Sequence, residues 1–333
     1  MTKKNLLLDI QNLHVWYHGY QGYSKVLNGV NLQLERGQKI GLVGEAGCGK
    51  TTTMKAVLGI LPEKAAKIPE GDIFYKGKNI YHLNKHELLE LRRCEISMVF
   101  QEPAAALNPV FTIGEQMTDI IGYAEQQRKR NTQKKQWEEM AAEALKQVFI
   151  PDPRRILTCY PSQLSGGMKQ RVCIALAIVT ERELLIADEP GTALDVTIQD
   201  QVHRLINDLH DKRGMSLIMV SHSLGVAREL TERINVMYAG SVVESSPTPR
   251  LFANPLHPYT RGLLDAVPRL SGQKFSAGIY GYVPDYLNPP QGCRFCPRCP
   301  KAMEICKTSN PSMKEIEPGH SVACFLYGDK DGA

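Results

Sequence analysis

A glycine-rich segment near the start of the chain has the composition of a phosphate-binding loop. Its sequence, GEAGCGKT at residues 44 to 51, fits the pattern G-x-x-x-x-G-K-[ST] and follows an apolar run, Ile40 to Val43, that predicts a strand. The glycines let the turn present backbone N–H groups to phosphate oxygens, and Lys50 reaches the β- and γ-phosphates. The hydroxyl of Thr51 is available to Mg²⁺, and the helix predicted from Thr51 to Leu58 adds a positive N-terminal dipole. The segment therefore predicts a nucleoside triphosphate site.

A chance glycine-rich loop is the alternative reading of this motif alone, and the motifs that follow it along the chain make that alternative negligible. The residues predicted to bind ATP here are Gly44, Glu45, Ala46, Gly47, Cys48, Gly49, Lys50, Thr51 and Thr52.

Two consecutive acidic residues come directly after a second apolar run, Leu184 to Ala187. A carboxylate at the end of a buried strand, such as Asp188, is suited to hold Mg²⁺ directly or through water. Glu189 is suited to orient and polarise the attacking water, because phosphoryl transfer leaves the protein mainly positioning and electrostatic work. An isolated pair of this kind would be read as a helix cap or surface pair, but here it follows a phosphate-binding loop.

The order of the predicted elements indicates an α/β fold. Residues 6 to 43 alternate apolar and polar positions with intervening turn signals, which predicts an antiparallel sheet leading into the strand before the phosphate-binding loop. Residues 112 to 149 have amphipathic helical spacing with many charges, which we interpret as a solvated helix surface. From residue 168 onward helices and strands alternate, which favours a mainly parallel sheet.

Composition sets limits on the class of protein. The net charge of +5 over 333 residues is modest and spread out, so it gives little support for a nucleic-acid groove, and we expect no nucleic-acid partner. No apolar run reaches the roughly 18 to 20 residues that a membrane helix requires. The first residues, MTKKNLLLDI, lack the long apolar region of a signal peptide. We expect a chain in the cytoplasm that does not span a membrane alone.

The peptide Leu164-Ser165-Gly166-Gly167-Met168 precedes a predicted helix. Together with the phosphate-binding loop and the acidic pair it resembles the ATP-binding-cassette (ABC) family, whose defining peptide has glutamine where this chain has Met168. The resemblance extends over essentially the whole chain. It implies an ABC-type P-loop NTPase, with a RecA-like core, an antiparallel β subdomain and a helical subdomain at about residues 102 to 180.

The resemblance also implies roles for individual residues. Ser165, Gly166 and Gly167 would bind the γ-phosphate of ATP held by a partner subunit, so that ATP joins two subunits. Gln101 matches the glutamine that senses Mg²⁺ and the attacking water, and His222 matches the switch histidine that contacts the γ-phosphate and supports Glu189.

Further roles follow from the same resemblance. The implied Mg²⁺ ligands are Thr51, Gln101 and Asp188, and the implied catalytic residues are Glu189, His222 and Gln101. The segment Thr192 to Asp195 matches the loop that contacts the opposite subunit.

An aromatic ring upstream of the phosphate-binding loop is expected to stack on adenine. The segment HVWYHGYQGY offers several rings. By the family's pattern Tyr17 is our first choice and Tyr23 the reserve, with simple packing in the sheet as the alternative for either.

The C-terminal region resembles a narrower group. The string NPLHPYTRGLLDAVPRL at residues 254 to 270, followed by GCRFCPRCPKAMEIC, is similar to the C-terminal extension of dipeptide and oligopeptide importer ATPases. We therefore expect an ABC ATPase domain at residues 1 to 265 and a small cysteine-rich annex at 266 to 333.

Five cysteines fall in this extension, at positions 293, 296, 299, 306 and 324. So many close thiols favour a metal centre over buried small residues, and either a structural Zn²⁺ or an iron–sulfur cluster would suit them. By resemblance, the ligands of a [4Fe–4S] cluster would be Cys293, Cys299, Cys306 and Cys324. Cys296 is a fifth thiol that could replace Cys293 or Cys299.

The resemblance implies an ATP-hydrolysing subunit that powers peptide import from the cytoplasmic face of the cell membrane. Its expected partners are a second ABC ATPase subunit in a heterodimer, two membrane permeases and an extracytoplasmic substrate-binding protein. Import of nickel chelates or sugars by the same machinery is an alternative. A soluble cassette ATPase acting on DNA or ribosomes is disfavoured because Lys50 and Ser165 leave room only for a compact helical insertion.

Overall fold

The computed structural model describes residues 5–130, 132–191, 194–266 and 278–328. The strands are β1 (Leu6–Gly19), β2 (Gly22–Glu35), β3 (Lys39–Val43), β4 (Ala66–Lys67), β5 (Asp72–Tyr75), β6 (Lys78–Asn79), β7 (Ile96–Val99), β8 (Leu184–Asp188), β9 (Ser216–Ser221), β10 (Arg233–Tyr238), β11 (Ser241–Pro247), β12 (Lys314–Glu317) and β13 (His320–Val322). The helices are α1 (Lys50–Val57), α2 (Lys85–Glu90), α3 (Pro103–Ala106), α4 (Ile113–Gln127), α5 (Lys134–Gln147), α6 (Pro153–Leu157), α7 (Gly166–Ile178), α8 (Val196–Arg213), α9 (Leu224–Leu230), α10 (Thr248–Ala253), α11 (Pro258–Asp265) and α12 (Ile305–Thr308).

The chain forms two compact units. The first contains the described parts of residues 1–35, 39–82 and 219–333, and the second contains residues 36–38 and the described parts of 83–218. The C-terminal residues 278–328 thus belong to the same unit as the phosphate-binding loop, rather than to a separate compact body.

An antiparallel sheet begins the first unit. Strands β1 and β2 pair along their whole length, from Leu6 opposite Glu35 to Gly19 opposite Gly22, and β5 pairs with the other edge of β1. The alternation of apolar and polar residues accounts for this arrangement, because Leu8, Ile10, Leu13 and Val15 are all buried on β1. The predicted antiparallel sheet is confirmed.

A second set of strands in the first unit positions the phosphate-binding loop. Strand β3 pairs in parallel with β10, and β11 and then β13 extend the sheet in antiparallel fashion. Every residue of β3 and β10 after the first is buried, as expected for strands covered on both faces. A hydrogen bond between His320 and Glu244 ties β13 to β11; their Nε2 and Oε1 atoms lie 2.8 Å apart, and both side chains are fully buried.

The second unit combines parallel strands with packed helices. Strands β7 and β8 pair in parallel, and helices α4, α5, α6 and α7 pack against one another. The helical region predicted over 112 to 149 is confirmed as two helices, α4 and α5. Helix α4 is capped by Thr112, whose side chain forms a reciprocal capping box with Glu115. Among the described residues, no helix is both long enough and apolar enough to cross a membrane.

Candidate nucleotide-binding and hydrolysis site

The phosphate-binding loop of the first unit connects the end of β3 to the start of α1. Gly47 and Gly49 have left-handed backbones, with φ of 77° and 107°. Gly44 is required for a different reason, because a Cβ atom there would lie 2.1 Å from the carbonyl oxygen of Met237. The predicted strand, loop and helix are therefore present, and the glycines are needed at these positions.

Lys50 lies against the loop that precedes it. Its side chain is buried, and its Nζ atom donates hydrogen bonds to the carbonyl oxygens of Gly44, at 2.7 Å, and Glu45, at 3.0 Å. The sulfur of Cys48 lies 3.8 Å from the same nitrogen. Burial raises the pKa of the Cys48 thiol, so that it is a neutral group near pH 7. Cys48 therefore adds no negative charge beside Lys50, the basic residue of this loop.

The first turn of α1 carries the predicted threonines. Thr51 and Thr52 are half-buried, and the next residue, Thr53, is fully buried. The hydroxyl of Thr53 donates a hydrogen bond to the Gly49 carbonyl at 2.9 Å. This contact fastens the loop to the helix, and it was missed in the sequence because a third consecutive threonine gives no separate signal.

In the second unit, the acidic pair lies where it was predicted, at the end of β8. Asp188 is buried, and Glu189 follows with a left-handed backbone at φ of 49°. Such a conformation is uncommon outside glycine, asparagine and aspartate, and tends to occur at functional sites. The Nε2 atom of Gln101 donates a hydrogen bond to Oε2 of Glu189 across 3.2 Å. The second unit thus brings together two of the three predicted catalytic residues.

Gln170 is a residue of this site that sequence reasoning missed. It lies on α7 and is fully buried. Its Nε2 atom donates to the carbonyl oxygen of Pro190 at 2.7 Å and approaches that of Glu189 at 3.4 Å. The helix that begins at the signature peptide therefore holds the backbone that carries Glu189.

The signature peptide forms the N-terminus of α7. Ser165 is its N-cap, with Oγ accepting a hydrogen bond from the Met168 N–H at 3.3 Å. Gly166 and Gly167 are the first helical residues, and a Cβ added to Gly166 would meet nothing within 4 Å. Open space at the start of a helix is suited to an anionic group.

The remaining motif residues are distributed between the units. His222 follows β9 in the first unit and is exposed. Asp195 is the N-cap of α8 in the second unit, accepting a hydrogen bond from the Ile198 N–H at 2.9 Å. Thr192 and Ala193, which belong to the predicted subunit-contact loop, lie outside the described residues.

Both candidate adenine-stacking rings lie at the β1–β2 end of the first sheet. Tyr17 is half-buried on β1 opposite Ser24. The ring of Tyr23 packs against those of Trp16, at 6.1 Å between centroids, and His18, at 5.2 Å. The ring of Tyr23 is thus already packed against two other rings, so Tyr17 remains our first choice for stacking on adenine.

The five C-terminal cysteines lie in one region but do not form the expected metal site. Burial raises the pKa of Cys293 to about 11, and the nearby thiols of Cys306 and Cys324 add to that effect. Burial also raises the pKa values of Cys296, Cys299 and Cys324. Nevertheless, in the part of the chain that the structure describes, no three His, Cys, Asp or Glu side chains are grouped so that they could hold a metal ion. The four-thiolate geometry predicted for Cys293, Cys299, Cys306 and Cys324 is not supported.

A phosphate-binding loop after a buried strand, a signature peptide capping a helix, and a carboxylate pair after a second strand define an ATP-binding cassette, a class of P-loop ATPase. Residues 27–192 match the ABC transporter family, and residues 243–306 match the C-terminal region of oligopeptide and dipeptide transporters.

Curated relatives match over nearly the full length. A probable peptide ABC transporter ATP-binding protein of Sinorhizobium fredii is 42% identical over 97% of this chain and 96% of its own length. In Bacillus subtilis, the oligopeptide transport ATP-binding protein AppD is 43% identical over 98% of both chains, and the dipeptide transport ATP-binding protein DppD is 41% identical over 97% and 96%.

Solved structures show the same cassette. A dimeric ATP-binding cassette bound to ADP and phosphate superposes with a TM-score of 0.65 at 26% identity, covering 72% of this chain and 98% of that one. CbiO1 of Clostridium perfringens, part of an ABC transporter complex, gives a TM-score of 0.59 at 25% identity, with 75% and 92% covered. This chain belongs to the ATP-hydrolysing subunits of ABC transporters, in the dipeptide and oligopeptide branch of that family. The resemblance predicted from the motifs and the cassette fold are confirmed.

Proposed function

We propose that this chain hydrolyses ATP through Glu189 to power the import of dipeptides or oligopeptides. The observation that carries the proposal is the hydrogen bond from Gln101 to Glu189, which links a residue two positions after β7 to the residue directly after β8. A carboxylate held in this way can orient the attacking water. Lys50 neutralises the β- and γ-phosphates, and Thr51, Gln101 and Asp188 are the proposed Mg²⁺ ligands.

A second ATPase subunit would complete the site. In this proposal Ser165 and the N–H groups of Gly166 and Gly167 bind the γ-phosphate of ATP that the other subunit carries. Support comes from the open space at the start of α7 and from the similarity to a cassette solved as a dimer. In the same proposal His222 contacts the γ-phosphate and supports Glu189, and the loop that ends at Asp195 contacts the opposite subunit. The heterodimeric arrangement is part of the proposal.

The second unit presents a surface suited to a membrane permease. Between α3 and α4, the side chains of Val110 and Phe111 are 70% and 47% exposed. They follow Gln101 by only nine and ten positions, so a partner that contacts them would respond to changes at Gln101. We propose that a membrane permease docks here at the cytoplasmic face of the membrane. It would be one of two permeases in the transporter, which receive peptide from an extracytoplasmic binding protein.

A metal centre at Cys293, Cys299, Cys306 and Cys324 is a separate part of the proposal. Its support is the spacing of the cysteines and one backbone contact, in which the N–H of Cys293 donates a hydrogen bond to the carbonyl of Cys306 at 2.9 Å. Four thiols would suit a [4Fe–4S] cluster, with Zn²⁺ as the alternative, and either would stiffen the loop that carries them. The thiols are not grouped as ligands in this structure. The ATPase mechanism proposed above uses none of these cysteines.

The transporter reconstituted in liposomes tests the main proposal. ATP inside the liposomes should drive uptake of labelled di- and oligopeptides when this chain, its partner ATPase, the permeases and the binding protein are all present. Lys50→Ala should abolish uptake because the loop loses its positive charge. Lys212→Ala is the matched control, since Lys212 is an exposed α8 residue paired with Asp208. ATP turnover that does not respond to peptide and yields no uptake would refute the proposal.

A further inference from the structure

Residues in the C-terminal part of the first unit form hydrogen bonds with the phosphate-binding loop. The hydroxyl of Tyr286 donates a hydrogen bond to the carbonyl of Gly47 at 2.8 Å, and the N–H of Glu45 donates one to the hydroxyl of Tyr259 at 3.0 Å. The guanidinium of Arg298 forms two hydrogen bonds with the Glu45 carboxylate, Nη1 to Oε2 at 2.8 Å and Nη2 to Oε1 at 3.2 Å. Glu45 and Gly47 therefore have partners that are more than 200 positions away in the sequence.

The contact from Tyr286 orients a peptide group of the loop. A peptide unit is planar and trans, so a fixed carbonyl fixes the direction of the following N–H. By holding the carbonyl of Gly47, Tyr286 orients the N–H of Cys48, which donates to the Glu45 carbonyl at 3.3 Å. Gly47 has a left-handed backbone with nothing within 4 Å of its Cβ position, so the Tyr286 hydroxyl restrains a peptide group that has little packing around it.

Tyr259 acts on the peptide group on the other side of Glu45. By accepting the Glu45 N–H, it fixes the carbonyl of Gly44, which receives the hydrogen bond from Lys50 at 2.7 Å. Because Tyr259 is fully buried, this contact has little freedom to move. The position of the Lys50 ammonium therefore depends on a residue of α11.

The Arg298 guanidinium is also held by contacts outside the phosphate-binding loop. The side chain is only 6% exposed, and the backbone carbonyls of Ile279 and Tyr280 each accept a hydrogen bond from it at 3.2 Å. A guanidinium held in a plane and paired at two points with a carboxylate is among the stronger and more directional polar contacts in proteins. Glu45, whose side chain is 27% exposed, is thus held in one orientation.

The segment that carries Arg298 is anchored in the core. Arg298 ends a short 3-10 helix that begins at Cys296 and is followed by Cys299. The preceding residue, Phe295, is buried with its ring 5.0 Å from that of Tyr238 and 5.5 Å from that of Tyr259. The cysteine-rich loop therefore packs against Tyr259, the residue whose hydroxyl accepts the hydrogen bond from the Glu45 N–H.

We propose that Arg298 and Tyr286 are positioning residues for ATP, acting through Glu45 and Gly47 rather than on the nucleotide. The C-terminal extension thereby sets the affinity of the phosphate-binding loop. This inference rests on the proposed ATP site at residues 44 to 52. Glu189 and Gln101 belong to the other unit and contact each other there, so loss of Arg298 weakens ATP binding more than it slows the hydrolysis of bound ATP.

A double-mutant cycle on the full chain in its transporter complex tests this assignment. Glu45→Gln and Arg298→Gln should each raise the KM for ATP by about tenfold, the effect of losing one charge-assisted contact, with a much smaller change in kcat. If the residues act through each other, the double variant should be no worse than either single variant. Additive effects, or an unchanged KM in Arg298→Gln, would overturn the proposal.

Two further variants separate positioning from folding. Tyr286→Phe removes only the hydroxyl that bonds to Gly47, and it should also raise the KM while keeping the unfolding temperature within a few degrees of the parent. Arg250→Gln is the matched control, because it removes an ion pair with Glu317, at 3.4 Å, that does not reach the loop. If the parent chain failed to bind ATP, the proposed function itself would be wrong. If the parent bound ATP and Tyr286→Phe and Arg298→Gln bound it equally well, only this inference would be wrong.

Discussion

Gln101 donates a hydrogen bond to Glu189 across 3.2 Å, and each residue follows one of two neighbouring parallel strands. Parallel strands end at the same edge of a sheet, so the strand pairing places these two residues near each other. Glu189 also has a left-handed backbone, with φ of 49°, a conformation that is uncommon for a glutamate and tends to occur at functional sites. The strand pair and the unusual backbone together set the position of the carboxylate that we assign to water activation.

Glu189→Gln should lower kcat for ATP hydrolysis by about 100-fold or more, because the amide cannot accept a proton from water. The KM for ATP should change little, since the phosphate-binding loop is intact. Steady-state phosphate release measures both quantities. Glu181→Gln, which changes an exposed carboxylate paired with Arg128, should behave as the parent. Unchanged turnover in Glu189→Gln would mean that another group activates the water.

Gln170→Leu should lower both stability and turnover. The buried amide supplies the hydrogen bond to the Pro190 carbonyl at 2.7 Å, and an apolar side chain leaves that carbonyl without its donor. The expected cost is about 1–3 kcal/mol of unfolding free energy. Thermal unfolding and phosphate release should therefore both report the change. Gln127→Leu, at the exposed end of α4, is the control, and equal behaviour of the two variants would contradict a role for Gln170.

Gly44→Ala should abolish ATP binding. Its new Cβ would lie 2.1 Å from the Met237 carbonyl oxygen and 2.8 Å from the Cys48 sulfur, so the backbone of the loop or of β10 must move. Gly225→Ala is the control, because its Cβ would meet only the Ser223 hydroxyl, at an ordinary 3.6 Å. Calorimetric titration with ATP distinguishes the two. Normal affinity in Gly44→Ala would show that the loop binds nucleotide in a different backbone conformation.

Local patterns were sufficient to predict most of the cassette. The phosphate-binding loop was predictable because its strand, turn and helix are consecutive, and Asp188 and Glu189 were predictable because they follow an apolar run. Gln170 could not be found in this way, since a glutamine within a helix is usually exposed. Its importance comes from burial against Pro190, which depends on how α7 packs.

The C-terminal contacts were also beyond the sequence patterns. Arg298 and Glu45 are 253 positions apart, and no periodicity or motif relates residues at such a distance. Cysteine spacing drew attention to the same loop but suggested a different role, a metal site for which no suitable group is present among the described residues. The arginine between two of those cysteines makes the contact with the phosphate-binding loop.

Metal content tests the predicted cluster directly. After anaerobic purification, a [4Fe–4S] centre should give about four irons per chain and thiolate-to-iron absorption, and Cys306→Ser or Cys324→Ser should lower both. Cys159→Ser, in the second unit, is the matched control. One zinc per chain without iron would indicate a structural Zn²⁺ instead. Neither metal would mean that the thiols serve only as small buried side chains.

Stability should fall in mild acid because of His257. Burial lowers the pKa of this imidazole to about 3, so the folded chain keeps it neutral. Unfolding restores a pKa near 6.5, and below that pH the unfolded chain binds a proton that the folded chain does not. The contribution of the neutral His257 to stability is therefore complete above about pH 6.5 and decreases as the pH falls toward 3.

His257→Asn should flatten this pH dependence. Asparagine retains an acceptor for the Tyr259 N–H, which now bonds to Nδ1 of His257 at 3.1 Å, so helix α11 keeps its N-cap. Absolute stability should drop because the ring contact with Phe295 is lost. The measurement is the unfolding temperature between about pH 5 and 7.5. His86→Asn, a side chain 75% exposed, should retain the slope of the parent. Asparagine does not titrate in this pH range. If the unfolding temperature changed with pH as steeply in His257→Asn as in the parent, His257 would not be the group responsible for the loss of stability in mild acid.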